Sequence, residues 1–282
     1  MNISGKAKVA GVMGWPVDHS LSPRLHGYWL KEYKIDGAFI PLAVEPANLF
    51  HAIRSLPELG FAGANLTVPH KEAALSAVDR VDENAARIGA INTLVVSEDG
   101  SIEGKNTDGF GFIEAIAAGA DLAGLKGQPV ALLGAGGAAR AIGAALQDYG
   151  VGKIYLVNRT LERAERIRDD FGGEIIAVDW DKRTEVLADI KLLVNTTTLG
   201  MVGQPVLEIN LDALPVKAIV TDVIYAPLMT GLLSNAAKRG NPVVDGLGML
   251  LHQGRPGFNS WFGREPKVTE GLRSHILDRG AV

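Results

Sequence analysis

The sequence predicts an α/β protein of two domains. Three observations carry that expectation. Short apolar runs alternate with helical patterns almost from the start, a second such series begins at a glycine-rich turn set between a strand and a helix, and 282 residues are enough for about two cores. With 47% hydrophobic and 21% charged residues, each half has apolar material for its own interior.

The strand-like runs of the first half are residues 8–13, 39–44, 63–68 and 91–96. Between them, Ser22-Pro23 has the form of an N-cap followed by proline at the first helical position, Glu45-Pro46 opens another helix, and Asp82 caps a third. Parallel strands with crossover helices are therefore expected. The strand-like residues 101–105 turn through Asn106 to Gly111 into a helix at 110–118, which is the candidate bridge between the halves. The second series runs strand 130–133, glycine loop, helix to Leu146, strand 154–157, helix 161–171, strand 192–195 and strand 218–222, which is the order of a Rossmann-type domain. From Gly246 onward the pattern is helical, interrupted near Arg255-Pro256-Gly257. The expected division is 1–108 with 247–282 as the substrate domain and 109–246 as the nucleotide domain.

Composition narrows the chemistry. With no cysteine, the chain has no disulfide, thiolate nucleophile or cysteine-based zinc site, and a reducing compartment fits. No run approaches the roughly 18 apolar residues of a membrane span, and the amino terminus lacks a signal-peptide core, so a cytoplasmic protein is expected. A net charge of −4 with scattered basic residues gives no general attraction for nucleic acid. Of the six histidines, His19 and His26 are seven apart and His70 adjoins Lys71 without a partner at ligand spacing, so no metal is expected. The expected partner is a small molecule, with neither membrane nor nucleic acid, and the expected assembly is a monomer or homodimer.

Gly134-Ala135-Gly136-Gly137-Ala138-Ala139 has the G-x-G-x-x-A form, after the strand at 130–133 and opening the helix that follows. Glycines there let the backbone turn sharply and approach a pyrophosphate, which the free N–H groups of the helix start receive. The next strand ends in Asn158-Arg159-Thr160, where an acid for the ribose 2′-hydroxyl of NAD would ordinarily stand. Arg159 suits a 2′-phosphate instead, which makes NADP the expected cofactor. Arg163, four residues on, falls on the same side of the helix; its neighbours Glu162, Glu165 and Arg166 equally describe a solvated surface.

Ligands of open α/β sheets lie at the carboxyl ends of strands, and that is where this sequence collects polar residues. Asp18 to Ser22 follow the first strand, Asn65 and Thr67 lie in the third run with Lys71 just after it, Asn92 belongs to the fourth, and Asp108 opens the bridging helix. Lys71 and Asp108 form the ionisable pair suited to catalysis, because reduction of a carbonyl by hydride leaves an alkoxide that needs a proton or a cation. Lys71 is expected in the first turn of a helix, where a solvated lysine is the common alternative, as a cap is for Asp108. Ser20, Ser22, Asn65, Thr67 and Asn92 offer neutral hydrogen bonds to a carboxylated, hydroxylated ligand, with Ser22 serving as cap, as ligand, or as both.

Gly14-Trp15-Pro16, His19-Ser20-Leu21-Ser22-Pro23, Gly63-Ala64-Asn65-Leu66-Thr67-Val68-Pro69-His70-Lys71, Gly89-Ala90-Ile91-Asn92-Thr93 and Asn106-Thr107-Asp108-Gly109 together resemble the shikimate dehydrogenase family. The resemblance continues through the Gly134 loop, Asn158-Arg159-Thr160, residues 195–201, Asp222-Val223-Ile224-Tyr225 and residues 245–250 with Gln253. It implies reversible NADPH-dependent reduction of 3-dehydroshikimate to shikimate, on the route to chorismate and aromatic amino acids. It implies further that Ser20, Ser22, Thr67, Asn92, Asp108, Tyr225 and Gln253 bind shikimate, with Lys71 and Asp108 at its reacting hydroxyl. NADP would then contact Gly134, Ala135, Gly136, Gly137 and Ala138, the segment Asn158, Arg159, Thr160 to Arg163, and Glu83, Val223 and Gly246 on the nicotinamide side. The sequence departs from the family pattern at Leu199, where a small polar residue is frequent, and Arg255 to Gly257 is a second place to look for altered contacts. The rival readings are an NAD-dependent quinate/shikimate dehydrogenase, which would want an acid at Arg159, and a metabolite sensor without turnover, whose mark would be loss of Lys71 or Asp108.

Overall fold

The computed structural model describes residues 3–278. They divide into two compact units: one runs to Thr107 and resumes at Gln253, and the other spans Asp108 to His252. The first unit contains β1 (Lys8–Gly14), α1 (Ser22–Glu32), β2 (Gly37–Ala43), α2 (Leu49–Arg54), β3 (Phe61–Leu66), β4 (Arg80–Val81), α3 (Glu83–Ile88), β5 (Thr93–Val96) and β6 (Ile102–Lys105). Their sheet has the order β2-β1-β3-β5-β6-β4. β2, β1 and β3 are parallel as expected, but β5 runs antiparallel to both β3 and β6. The apolar run at residues 91–96 specifies a strand without its direction, because only the connections decide which way it enters the sheet. One face of the sheet closes over a cluster that includes Met13, Ile53, Leu56, Leu66, Ile91 and Leu94.

The second unit contains α4 (Asp108–Gly119), β7 (Val130–Leu133), α5 (Gly137–Tyr149), β8 (Ile154–Asn158), α6 (Leu161–Phe171), β9 (Ile175–Asp179), β10 (Leu192–Asn195), β11 (Ile219–Asp222), α7 (Gly231–Arg239) and β12 (Val243–Val244). Its sheet is parallel throughout, in the order β12-β11-β10-β7-β8-β9. Every residue of β7, β10 and β11 is buried, since helices or loops cover both faces, and such strands read as unbroken apolar runs. β9 and β12 escape the sequence pattern: β9 is an edge strand with exposed and half-buried positions, and β12 has two residues. The chain leaves β7 toward β8 and β9, then returns to place β10 on β7's other side, so the switch point of the fold lies between the loops after β7 and β10.

α8 (Gly246–Phe262) and α9 (Glu270–Leu277) complete the chain. α8 continues through Pro256, where the sequence predicts an interruption. Residues 247–252, assigned by the sequence to the substrate domain, pack with the second unit: a Cβ on Gly248 would stand 3.1 Å from that of Ala115, and Met249 joins the core under β7 and β10. From Gln253 onward the helix faces the first unit, where Phe258 and Trp261 enclose His26 with Trp29 and Phe39. Arg255 is held by the Pro266 carbonyl at 3.1 Å and Glu265 at 2.8 Å, which accounts for a charged residue beside the proline. Among the described residues no helix is long and apolar enough to cross a membrane.

Trp261 donates through Nε1 to the Leu94 carbonyl at 2.9 Å, tying α8 to β5. Gly63, on the neighbouring strand β3 at φ 151°, is what admits the ring: a Cβ there would run into both the Leu94 oxygen and Trp261 Nε1. Gly63→Ala is expected to cost about 3 kcal/mol, from overpacking and a conformation that L side chains avoid, and to lower Tm by about 5–10 °C. A thermal melt followed by tryptophan fluorescence checks this, and an unchanged Tm would mean that the ring shifts freely.

Candidate active site

The polar residues collected from the first half converge at one edge of the first unit's sheet. β1 and β3 end side by side, with the Thr67 N–H donating to the Met13 carbonyl at 3.0 Å and the Trp15 N–H to the Val68 carbonyl at 3.2 Å. β5 starts at that same edge because it is antiparallel, so Asn92 and Thr93 stand beside Asn65, and β6 delivers Asn106 and Thr107 there. The antiparallel entry thus brings an N-terminal strand end to a carboxyl edge, which strand-end reasoning on parallel strands does not anticipate.

Asn92 is the centre of a buried relay. Asn65 Nδ2 donates to the Asn92 carbonyl at 3.1 Å and to Thr93 Oγ1 at 3.2 Å. Thr93 Oγ1 donates to Asn92 Oδ1 at 2.9 Å, which also accepts the Thr107 N–H at 2.9 Å. Asn92 Nδ2 donates to Thr107 Oγ1 at 3.0 Å and to Gln253 Oε1 at 3.4 Å, and Thr107 Oγ1 donates to the Gln253 carbonyl at 2.9 Å. Both amide hydrogens of Asn65 are therefore committed to the protein. Thr93 and Thr107 are not singled out by the sequence; the signal was the adjacent asparagines, whose buried amides require partners.

Ser22 is the first residue of α1 and makes no cap; its N–H donates to Ser20 Oγ at 3.3 Å, and among the described residues its own buried hydroxyl has no hydrogen bond. The hydroxyl that receives an N–H of the helix start is therefore that of Ser20. Lys71 is half-buried on a turn ahead of a short 3₁₀ segment, Ala73–Ala77, and not in the first turn of an α-helix. Its carbonyl accepts the Ile91 N–H at 2.8 Å, which pins its backbone beside Asn92. Asp108 follows Thr107 directly and is the first residue of α4, buried.

His70, next to Lys71, turns away: its ring nitrogen meets the Val44 carbonyl at 2.8 Å, and burial lowers its pKa. His26 is fully buried and stacked on Phe39 at 4.0 Å, and both ring nitrogens lack a partner. Burial pushes its pKa down to about 3, with the nearby Asn65 amide pulling weakly the other way. Among the described residues no group of three or more His, Cys, Asp or Glu is arranged to hold a metal ion.

In the second unit the loop after β7 opens α5. Gly134, at φ 109°, lies so close to Thr196 that a Cβ would come within 2.7 Å of its Oγ1. Gly136 is the N-cap and makes no side-chain cap. A Cβ on Gly136 or Gly137 would meet no protein atom within 4 Å, so the space beside both is open. That bare, glycine-lined helix start is the cradle a pyrophosphate needs. Ala139 is fully buried, allowing α5 to sit close on the sheet.

At the end of β8, Asn158 Nδ2 donates to the Thr160 carbonyl at 2.8 Å and shapes the turn. Thr160 takes the N-cap position of α6, but its side chain makes no cap bond; the Arg163 N–H reaches its carbonyl at 3.0 Å. Arg159 and Arg163 are both exposed, and among the described residues neither guanidinium has an ion pair. An unpaired arginine at the tip of the second strand of a Rossmann unit fits a phosphate on the ribose.

Val223 and Tyr225 follow β11, and Gly246 packs on that turn, where a Cβ would stand 2.5 Å from the Val223 and Ile224 carbonyl oxygens. Burial raises the pKa of Tyr225 and keeps its phenol protonated. Glu83, exposed at the start of α3, belongs to the first unit. Leu199 packs against the core of the second unit, and its carbonyl accepts from Asn195 Nδ2 at 3.1 Å, so an apolar side chain is accommodated there by burial.

Residues 12–94 match the shikimate dehydrogenase substrate binding domain, and residues 117–202 match the shikimate / quinate 5-dehydrogenase family. A shikimate dehydrogenase (NADP(+)) of Paramagnetospirillum magneticum is 57% identical, over 98% of this chain and 100% of its own length. One of Rhodospirillum rubrum is 51% identical, over 98% of this chain and 99% of its own. Among solved structures, the shikimate 5-dehydrogenase of Thermus thermophilus, in complex with NADP(H) and shikimate, is similar with a TM-score of 0.85 and 34% identity, over 96% of this chain and 98% of that one. Asn65 and Asn92 lie in one matched segment and the glycine cradle in the other, each on the fold its family uses, and the chain accordingly belongs to the shikimate dehydrogenase family.

Proposed function

We propose that this protein is an NADP-dependent shikimate dehydrogenase of the cytoplasm that reduces 3-dehydroshikimate to shikimate and runs the reverse reaction. The observation that carries the cofactor choice is Arg159, exposed and, among the described residues, without an ion pair where an NAD enzyme needs an acid. NADP, when bound, supplies or accepts the hydride. Gly134, Ala135, Gly136, Gly137 and Ala138 hold its pyrophosphate, Arg159 its 2′-phosphate, and Asn158, Thr160 and Arg163 the surrounding ribose and adenine. Glu83, Val223 and Gly246 are assigned to the nicotinamide side.

Ser20 and Ser22 offer hydroxyls to the substrate carboxylate; Thr67, Asn92, Tyr225 and Gln253 bind its ring hydroxyls. Asn65 holds Asn92 and Thr93 through its amide hydrogens, and Asn92, whose own go to Thr107 and Gln253, meets a ring hydroxyl by exchanging one of these bonds. Lys71 stabilises the oxygen of the reacting carbonyl and delivers its proton, and Asp108 keeps hydroxyl and ammonium in register. A polyhydroxylated acid is selected because the buried Ser22 hydroxyl would be left unpaired by a ligand that lacks the matching group.

The test is a four-way comparison of kcat/KM for shikimate and quinate with NADP and with NAD. Shikimate with NADP should dominate; preference for quinate or NAD would place the protein with the rival dehydrogenase, and no turnover at all would favour a sensor. In the same assay Arg159→Ala is expected to lose about 10–100-fold in kcat/KM for NADP and to leave NAD unchanged, since only the 2′-phosphate contact is removed. Equal losses with both cofactors would refute that contact.

A further inference from the structure

Asp222, the last residue of β11, is 1% exposed, and among the described residues its carboxylate has no cation. Burial raises its pKa against the pull of its hydrogen bonds. A buried carboxylate without a counter-ion is a poor way to stabilise a scaffold, where a well-packed apolar residue serves as well or better. What this one does is tie three segments together. Oδ1 accepts the Ile224 N–H at 3.0 Å, within the turn that carries Val223 and Tyr225. Both oxygens accept Asn195 Nδ2 at 3.1 Å, and Oδ2 accepts the Thr230 hydroxyl at 2.8 Å at the N-cap of α7.

The Asn195 branch leads to the glycine loop. Asn195 Oδ1 accepts the Thr197 N–H at 3.1 Å and the Thr197 hydroxyl at 2.7 Å. Thr196, between them, donates its N–H at 2.9 Å and its hydroxyl at 2.7 Å to the Leu133 carbonyl, and it is the wall against which Gly134 closes. One carboxylate therefore braces the turn bearing Tyr225 and the buttress behind Gly134.

We propose that Asp222 is a positioning residue for both ligands, setting the Tyr225 turn for the substrate and the Thr196-Thr197 buttress for the cofactor loop. This rests on the assignment of Tyr225 to the substrate and of the Gly134 loop to NADP. Because Asp222 is buried and its oxygens are taken up by protein donors, it acts through its neighbours, and its loss should weaken binding and spare the chemical step.

Asp222→Asn keeps the shape but turns an acceptor into an N–H₂ group that faces donors. In this variant NADPH affinity, read from nicotinamide fluorescence without turnover, should fall about tenfold, and KM for shikimate should rise about tenfold. The kcat at saturation should stay within about threefold. A lower Tm with unchanged affinity and KM would overturn the proposal, as would a loss confined to kcat. Should that variant not fold, Thr197→Val, which removes the hydroxyl's bond to Asn195 Oδ1 and the one it accepts from the Leu199 N–H, should raise the NADPH dissociation constant about threefold and leave KM for shikimate unchanged; no change in NADPH affinity would overturn the buttress. Tyr225→Phe separates the two levels: an unchanged KM for shikimate there would remove the assignment of Tyr225, while the fluorescence arm continues to test Asp222.

Discussion

Replacing Lys71 with alanine is expected to lower kcat about 1,000-fold while NADPH affinity stays within about twofold. Hydride addition to a ring ketone concentrates negative charge on one oxygen, and a nearby ammonium group both stabilises that charge and supplies the proton. Removing it leaves water as the proton source and no cation at the developing alkoxide, a loss in the middle of the range that a positioned acid contributes. The backbone of Lys71 is held by the Ile91 N–H and the preceding residue's ring is anchored on Val44, so truncating the side chain should not collapse the turn. Single-turnover kinetics with bound NADPH measures the chemical step, and fluorescence measures cofactor binding separately. Comparable losses in both would show that Lys71 supports the fold and would remove it from the chemistry.

Substituting His26 by phenylalanine is expected to abolish a large part of the protein's sensitivity to mild acid. In the folded protein burial holds the ring neutral down to about pH 3, whereas the unfolded chain takes up a proton near the ordinary value of 6.5. Below 6.5 the unfolded state therefore binds more protons, so the stability that depends on neutral His26 is complete above pH 6.5 and is lost as pH falls from 6.5 toward 3. At about 1.4 kcal/mol per pH unit, the loss is about 2 kcal/mol at pH 5 and about 4–5 kcal/mol by pH 3. His70, also shifted downward, contributes in the same direction and remains in the variant, so the difference between the two proteins isolates His26. Phenylalanine suits the site because the ring is already stacked on Phe39 and the Asn65 contact is the one polar interaction of its nitrogens to be lost. Urea unfolding at pH 7 and pH 5 checks this: the drop between the two should shrink by about 2 kcal/mol in His26→Phe, and identical drops would show that His26 already ionises freely.

The sequence is most informative where a residue's local chemistry states its own requirement. The loop from Gly134 to Ala138 was legible as a strand-turn-helix because strand, glycines and helix all agree, and the absence of an acid at the end of β8 is what pointed the sequence to NADP. Asp82 was legible as a cap, and its carboxylate accepts the Ala85 N–H at 2.6 Å. Ser22 was misread as a cap because a serine before proline satisfies the pattern whether or not its hydroxyl is used, and Lys71 was placed on a helix that tightens to a five-residue 3₁₀ segment. The edge strand β9 and the two-residue β12 were missed because edges and stubs bury too little to imprint a period.

By itself, then, the sequence determined the fold class, the order of most of the elements, the glycine loop between strand and helix, NADP as the cofactor, and the family. These depend on residues read within a few positions of one another, or on motifs strung along the chain. Only the tertiary structure decided that β5 enters antiparallel and brings Asn92 to Asn65, that Thr93 and Thr107 close the relay to Gln253, and that α8 changes partners at Gln253. It alone revealed Asp222 as the brace of two loops and His26 as a neutral ring inside an aromatic nest. The reason is physical: a buried polar group takes its meaning from what surrounds it, rings in the case of His26 and hydrogen-bond partners in the others, and in the Asn92 relay a partner arrives from 161 residues away.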